Sequence, residues 1–166
     1  MLYVSERTIA AESLELQRAL TAADGYLYLM MAPQALAELD AISGTHRNHP
    51  ALLRTRVRAL LHLKRWREAE ALSQNGTEIY PDENEFMVQR AFALHQMKRG
   101  LDAVQVLLAA PEWIRKTGIL HYNLACYEAQ LGDLSTARQC IRAAIKINSS
   151  FKKDARHDPD LQRLWN

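Results

Sequence analysis

Six histidines and two cysteines are the first residues to consider as metal ligands, and the cysteines also as nucleophiles. His46 and His49 are three positions apart in the loop segment GTHRNHP, but that segment contains no cysteine or acidic residue that would complete a zinc site. His62, His95 and His121 are too widely spaced to converge on one ion. We therefore expect a solvated histidine loop and no metal site.

The two cysteines, Cys126 and Cys140, lie inside helical patterns. A disulfide framework needs more cysteines and an oxidising compartment, so we interpret both as free thiols. Neither is accompanied by the histidine and aspartate that would activate a nucleophile. The sequence also lacks a glycine-rich phosphate loop in a strand context and paired carboxylates that stand out on one helix face. We expect no catalytic residues, no cofactor and no enzymatic activity.

A run of basic residues is more informative. No acidic residue occurs between Asp40 and Glu68, whereas seven basic residues do: Arg47, Arg54, Arg56, Arg58, Lys64, Arg65 and Arg67. One interpretation is a solvated face whose arginine stems cover neighbouring helices. The other is a docking patch for an acidic segment or a nucleic acid backbone. Both stay open at the level of sequence.

Length and composition narrow the class of protein. The 166 residues suffice for one ordinary domain, and 48% apolar with 24% charged residues is typical of a globular chain. A net charge of +2 is too small for a dedicated polyanion binder. No apolar run approaches the ~18 residues that span a bilayer, and MLYVSERTIAAES does not resemble a signal peptide. We expect a cytoplasmic protein without a membrane partner.

The elements that must position these residues follow a period of 34 residues. Stepping by 34 gives four columns of small or apolar character, each keeping one phase over four units. The columns are Ala35, Ala69, Ala103, Ala137; Ala23, Val57, Ala91, Ala125; Leu29, Leu63, Met97, Leu131; and Leu39, Ser73, Leu107, Ile141. Each unit divides into two segments with apolar residues at helical spacing, separated by short breaks such as LKRW and LGD. Small residues are needed where two helix axes approach closely.

A helix–turn–helix unit of this length and phase resembles the tetratricopeptide repeat (TPR). The positions that carry the resemblance are Leu124, Ala125, Gly132, Ala137 and Ile141 in the last unit and Trp66, Ala69 and Pro81 in the second. The chain departs from the family at Arg56 and Arg90, where leucine is usual, and at Ser73 and Gly76, which thin the inner face of the second unit.

The resemblance implies an all-α fold, a right-handed α-solenoid of about four helical hairpins with a C-terminal capping helix. We predict a single TPR domain over residues 1–166, with repeats at about 16–49, 50–83, 84–117 and 118–151 and a capping segment at 152–166. Asp158 and Pro159 resemble a helix start. Leu161, Leu164 and Trp165 would then cover the last hairpin.

In this family the first helices of successive units line a concave groove that holds a peptide or a partner helix. The phase of the repeat places these residues in or beside that groove: Tyr28, Arg54, Thr55, Arg58, His62, Gln89, Phe92, Gln96, Tyr122, Asn123 and Gln130. The arginines favour a partner that carries carboxylates. Some members clamp a terminal carboxylate with residues of three successive units, but only Asn123 matches that set here, which argues against this mode.

We predict a non-catalytic adaptor or scaffold that binds a protein or peptide in the groove. The first alternative is a small secretion or assembly chaperone built of the same repeats, which the similar length supports and the basic pI of 8.6 does not. A nucleic-acid-binding module that uses the basic second repeat ranks third. Whether the chain forms homo-oligomers stays open.

Overall fold

The computed structural model describes residues 6–165, and it describes side chains from Leu14 onward except that of Thr45. Part of the stretch inspected for a signal peptide, residues 1–5, lies outside this range. The described residues form helices and no strand. The helices are α1 (Glu6–Tyr28), α2 (Ala32–Ala41), α3 (Pro50–His62), α4 (Trp66–Ile79), α5 (Asn84–Gln96), α6 (Gly100–Leu108), α7 (Glu112–Arg115), α8 (Gly118–Leu131), α9 (Leu134–Ile147) and α10 (Phe151–His157). Two 3₁₀ segments, Gly44–Asn48 and Pro159–Leu164, complete the list.

The chain forms two compact units, Met1–Glu83 and Asn84–Asn166. In the first unit α1 packs against α2 and α3 against α4, and α1 and α2 both contact α3. In the second unit α5 packs against α6 and α8 against α9. Each unit has its own apolar core, centred on α1 to α3 in the first and on α5, α6, α8 and α9 in the second.

The turn inside each of the four hairpins has the same backbone structure. The first helix is followed by a residue with a left-handed φ, and the amide of the next residue donates to a carbonyl five positions earlier, at 2.8 to 3.0 Å. The left-handed residues are Met30 (φ 60°), Lys64 (57°), Lys98 (64°) and Gly132 (96°), spaced by 34. This pair of features is the Schellman ending of a helix. The sequence period therefore corresponds to a repeated turn, although only the last copy has the glycine that such a turn favours.

The columns of the sequence repeat differ in burial. Three of them contain only buried side chains: Ala35, Ala69, Ala103, Ala137; Ala23, Val57, Ala91, Ala125; and Leu39, Ser73, Leu107, Ile141. Ser73, which departs from the family pattern, is satisfied because its hydroxyl donates to the Ala69 carbonyl oxygen at 2.7 Å. The remaining column directly precedes the left-handed turn residue, and there Leu29 and Leu131 are exposed. Leu63 and Met97, the other two members, are partly buried against the cores of their units.

The end of the second unit is covered by α10 and the C-terminal 3₁₀ segment (Pro159–Leu164), which pack against α9 and against α8 and α9 respectively. The predicted helix start is confirmed, because the Asp158 carboxylate accepts from the Asp160 amide at 2.9 Å. The helix that begins there is 3₁₀, with α10 directly before it. Leu161 and Leu164 are buried, as expected.

Two further contacts hold this cap in place. The Phe151 side chain at the start of α10 packs so close to Gly118 that a Cβ at position 118 would lie 2.6 Å from its Cε2, so a larger residue there would have to displace the phenyl ring. Trp165 was expected to act as a lid, and this expectation is wrong, since 47% of the residue is exposed. Its indole Nε1 donates to the Ala155 carbonyl oxygen at 3.1 Å and so ties α10 to the 3₁₀ segment.

The left-handed turn residues lead to a prediction about stability. Lys98→Gly should raise the free energy of unfolding by up to about 1 kcal/mol, because glycine relieves the left-handed strain but loses more chain entropy on folding. Gly132→Ala should lower it by about 1 kcal/mol or more. Urea unfolding followed by circular dichroism measures both changes. Lys98→Ala is the control, since it removes the same side chain and keeps the strain; an equal gain from Lys98→Ala would contradict the explanation.

Candidate interaction surfaces

The predicted groove residues of the first unit lie on α1 and α3. Arg58 Nη1 donates to Asp24 Oδ1 at 2.8 Å, which shows that positions 34 apart on these two helices are neighbours. Tyr28 and His62 follow one helical turn later on the same helices, and both are exposed. Thr55, in contrast, is buried and has little surface to offer a partner.

The turn after α1 exposes four consecutive large side chains that are apolar or aromatic. The exposed fractions are 87% for Tyr28, 63% for Leu29, 75% for Met30 and 37% for Met31. The residues that match Met30 and Met31 in the following turns are Lys-Arg, Lys-Arg and Gly-Asp. The first turn therefore has two large apolar side chains where each of its three counterparts has a charged residue and no large apolar one. We call Tyr28, Leu29, Met30 and Met31 the first-turn surface.

The arginines of the basic run are largely paired within the first unit. Arg54 forms an ion pair with Glu83, and Arg56 Nη2 lies 2.8 Å from Asp40 Oδ1 and 2.9 Å from the Leu39 carbonyl oxygen.

Arg65 donates twice to Glu68, at 2.6 Å each, and this hydrogen bonding lowers the pKa of Glu68. The acidic partners of these arginines thus lie before and after the stretch between Asp40 and Glu68 that contains no acidic residue. They are Asp24, Asp40, Glu68 and Glu83. Much of the local positive charge is neutralised in this way, which weakens the interpretation as a nucleic-acid patch.

In the second unit the predicted groove residues of α8 contact the cap. Tyr122 donates from its hydroxyl to Asp158 Oδ2 at 2.7 Å, and Gln130 Nε2 donates to Asp160 Oδ1 at 3.1 Å. The Phe151 ring lies over the Tyr122 ring, with centroids 5.1 Å apart. Burial, and next the hydrogen bond to Asp158, raise the pKa of Tyr122. A partner that used Tyr122 or Gln130 would have to compete with the chain's own carboxylates.

The other predicted residues of the second unit differ in exposure. Gln89 is buried, and its Nε2 donates to Glu85 Oε1 at 3.1 Å along α5. Phe92 is exposed, and Gln96 and Asn123 are half-buried. Besides Tyr122 and Gln130, the predicted groove positions of this unit that have accessible surface are thus Phe92, Gln96 and Asn123.

The histidine loop has a structural role at one of its two positions. His49 precedes α3, and its Nδ1 accepts from the Ala51 amide at 3.3 Å, so it caps the helix. The rings of His46 and His49 are edge-on, with centroids 6.4 Å apart.

Two features of these surfaces were missed by the sequence reasoning. The apolar first turn is visible in the sequence when the turn residues of the four units are aligned by the period of 34. The contacts of Asp158 and Asp160 with α8 had no such signal, because the cap departs from the period. None of the helices described is long and apolar enough to span a bilayer.

No protein-family model matches the sequence, and no curated protein sequence matches it. Solved structures do match. MamA from Desulfovibrio magneticus RS-1, in a form that begins at residue 41, superposes with a TM-score of 0.70 at 17% identity, over 90% of this chain and 83% of that one. MamA of strain AMB-1 gives 0.69 at 13% identity, over 91% and 85%. MamA of strain MSR-1 gives 0.66 at 12% identity, over 93% and 85%.

At such low identity the similarity concerns the fold alone. These neighbours have helical folds of tetratricopeptide type, and the predicted all-α fold class of this chain is thereby confirmed.

Proposed function

We propose that the protein is a non-catalytic adaptor that binds a protein partner through the first-turn surface and the adjoining faces of α1 and α3. The observation that carries this proposal is the run of four consecutive exposed apolar or aromatic side chains from Tyr28 to Met31. Contiguous apolar surface of this kind marks interaction sites in folded proteins. The three matching turns have no large apolar side chain at the positions of Met30 and Met31, where they carry Lys-Arg, Lys-Arg and Gly-Asp.

The side chains of this surface suit a helix or an extended peptide. Methionine is flexible and polarisable, so Met30 and Met31 can adapt to the partner's apolar residues. Tyr28 adds a large rigid ring that loses little conformational entropy on binding. Together they supply an apolar anchor at one end of the α1 and α3 faces.

The neighbouring polar residues favour a partner with carboxylates. Arg58 is about half-exposed while it pairs with Asp24, so a carboxylate of the partner can share its guanidinium. His62 is exposed one turn beyond Arg58. The expected partner segment thus has an apolar anchor followed by acidic residues. We further propose that Phe92, Gln96 and Asn123 of the second unit form a separate contact surface for a protein or peptide.

The test is to give the first turn the residues of the second, by the double substitution Met30→Lys/Met31→Arg. Lysine already has the left-handed conformation at Lys64 and Lys98, so the backbone should be retained. A partner captured by affinity purification and then purified should bind the variant at least about tenfold more weakly, since one well-buried apolar side chain contributes about 1.5–3 kcal/mol.

The matched control is Leu108→Lys, which introduces a charge at an exposed leucine of α6. It should leave the affinity unchanged, and circular dichroism should show both variants folded. Equal affinities for wild type and the double variant would place the binding surface elsewhere and refute the proposal.

A further inference from the structure

Three basic side chains form a line along the exposed face of α9. They are Arg138, Arg142 and Lys146, which we call the α9 stripe, and all three are exposed. Consecutive members are four residues apart, so they lie on one face of the helix, about 6 Å from each other along its axis. The opposite face of α9 is buried in the core of the second unit. The stripe therefore lies on the side of α9 that faces solvent.

The α9 stripe has no acidic partner. Within the part of the chain that the structure describes, none of its members forms an ion pair, and no residue three or four positions away from any of them is acidic. Elsewhere in this unit Arg99 and Lys116 each pair with a carboxylate at that spacing. Like charges four residues apart repel each other and slightly destabilise a helix. Helix stability therefore does not account for the stripe.

The segment that carries the α9 stripe is basic as a whole. Residues 134–165 include seven lysines and arginines but only three aspartates. Two of the aspartates, Asp158 and Asp160, are half-buried and accept hydrogen bonds from side chains of α8. The net charge of +2 for the whole chain thus hides a local excess of positive charge in this segment. The basic run of the first unit differs, because its arginines are largely paired with carboxylates.

An exposed indole lies beside one end of the α9 stripe. Arg138 Nη2 lies 3.5 Å from the carbonyl oxygen of Leu164, and the next residue is Trp165, which is exposed. The indole Nε1 already donates to the Ala155 carbonyl oxygen at 3.1 Å. This hydrogen bond holds the ring in place and uses its only polar atom, so the surface left for a ligand is aromatic. A fixed aromatic ring next to a guanidinium is suited to stacking on a planar group of an anionic ligand.

We propose that the α9 stripe and Trp165 bind single-stranded nucleic acid without sequence preference. The three cations contact phosphates of one strand and a base stacks on the indole, the combination by which proteins commonly hold single strands. A run of acidic residues in a protein supplies the charges but no ring to stack on Trp165. A membrane surface requires apolar side chains that enter it, whereas the other exposed residues on this face of α9 are Ser135 and Gln139. The site is independent of the first-turn surface, which belongs to the first unit.

Fluorescence anisotropy of the full chain with labelled oligothymidine and oligouridine, each of about 12 nucleotides, tests the proposal. The Kd should be about 10⁻⁶–10⁻⁴ M at physiological salt, the range of non-specific binding. Each phosphate contact contributes about −0.7 to the slope of log K against log salt concentration, so three contacts should give a slope of about −2. Binding of either oligonucleotide supports the proposal, and the tighter one identifies the class of strand. A DNA duplex of the same length should bind more weakly, because its bases are not free to stack on Trp165.

The chain offers a matched control for each variant. Arg142→Glu should weaken binding of the oligonucleotide at least about tenfold and make the salt slope less steep by about 0.7 or more. Trp165→Ala should weaken it at least about fivefold, the smallest effect expected for the loss of one stacked base. The controls are Arg115→Glu and Trp113→Ala, which change the same residue types at exposed positions of α7. Both controls should bind like the wild type.

Several outcomes would overturn the proposal. They are the absence of binding to either oligonucleotide at low salt, an unchanged affinity in a folded Arg142→Glu, and equal or tighter binding of the duplex. Equally tight binding of polyglutamate would indicate a surface for acidic peptides instead, and equally tight binding of phosphatidylserine vesicles would indicate a membrane surface. If Trp165→Ala does not fold, Trp165→Phe, which keeps an aromatic ring and should retain most of the affinity, together with Arg142→Glu still decides the question.

Discussion

A chain that ends at residue 150 should lose the cooperative unfolding of its second unit and should aggregate. This truncation removes α10 and the C-terminal 3₁₀ segment, whose buried side chains belong to the core of that unit. Leu161 has no exposed surface, Leu164 is nearly buried, and Phe151 packs against the same core. Full burial of a leucine contributes about 1.5–3 kcal/mol and the partly buried Phe151 adds less, so the three together are a large part of the stability of a small domain, about 5–15 kcal/mol.

A point variant separates the cap's apolar contacts from other effects of truncation. Leu161→Ala should lower the free energy of unfolding by about 2–5 kcal/mol, the range found for buried leucines. The control is Arg163→Ala, two positions later on the exposed side, which should change it by less than about 0.5 kcal/mol. Urea unfolding and light scattering measure the stability and the association state. A truncated chain that stays monomeric with the wild-type melting temperature would show that residues 151–166 do not act as a cap.

The sequence could predict which helix residues are buried, because the weak pattern of each unit recurs in all four units at the same phase. No single unit is a strong match, yet alanine at Ala35, Ala69, Ala103 and Ala137 fixed the phase of the helix contacts, and all four are buried. The phase of the repeat alone does not predict how deeply a side chain is buried. The column that includes Leu29 keeps the period and lies at the start of a turn, yet its members range from partly buried (Leu63, Met97) to exposed (Leu29, Leu131).

The binding residues were less predictable. The phase of the repeat tells which helix face a residue lies on, but it does not tell which other residues of the chain already contact that face. Asp24 and Arg58 are 34 positions apart and carry opposite charges, so their ion pair could have been expected from the repeat spacing. The partners of Tyr122 and Gln130 could not, since Asp158 and Asp160 lie in a segment outside the period. Thr55 and Gln89 were predicted in or beside the groove. At the edge of a helix face, a small rotation of the helix decides whether a side chain is exposed or buried, and both are buried.

Ala137→Trp should destabilise the second unit strongly, because Ala137 lies where α8 and α9 come close together. Ala137 on α9 and Ala125 on α8 have no exposed surface, and both belong to the core of this unit. Close approach of two helices requires small side chains at such positions. An indole ring cannot fit there without separating the helices, and overpacking of a well-packed core costs about 1–3 kcal/mol and sometimes more.

The matched control is Gln139→Trp, which places the same indole on the exposed side of α9 two residues later. Urea unfolding followed by far-ultraviolet circular dichroism should show a lower midpoint for Ala137→Trp and little change for Gln139→Trp. The comparison isolates packing, since both variants add the same apolar side chain to the same helix and differ only in the face that receives it. Equal midpoints would mean that the α8 and α9 contact tolerates a large side chain, and the small-residue columns would then need another explanation than close helix approach.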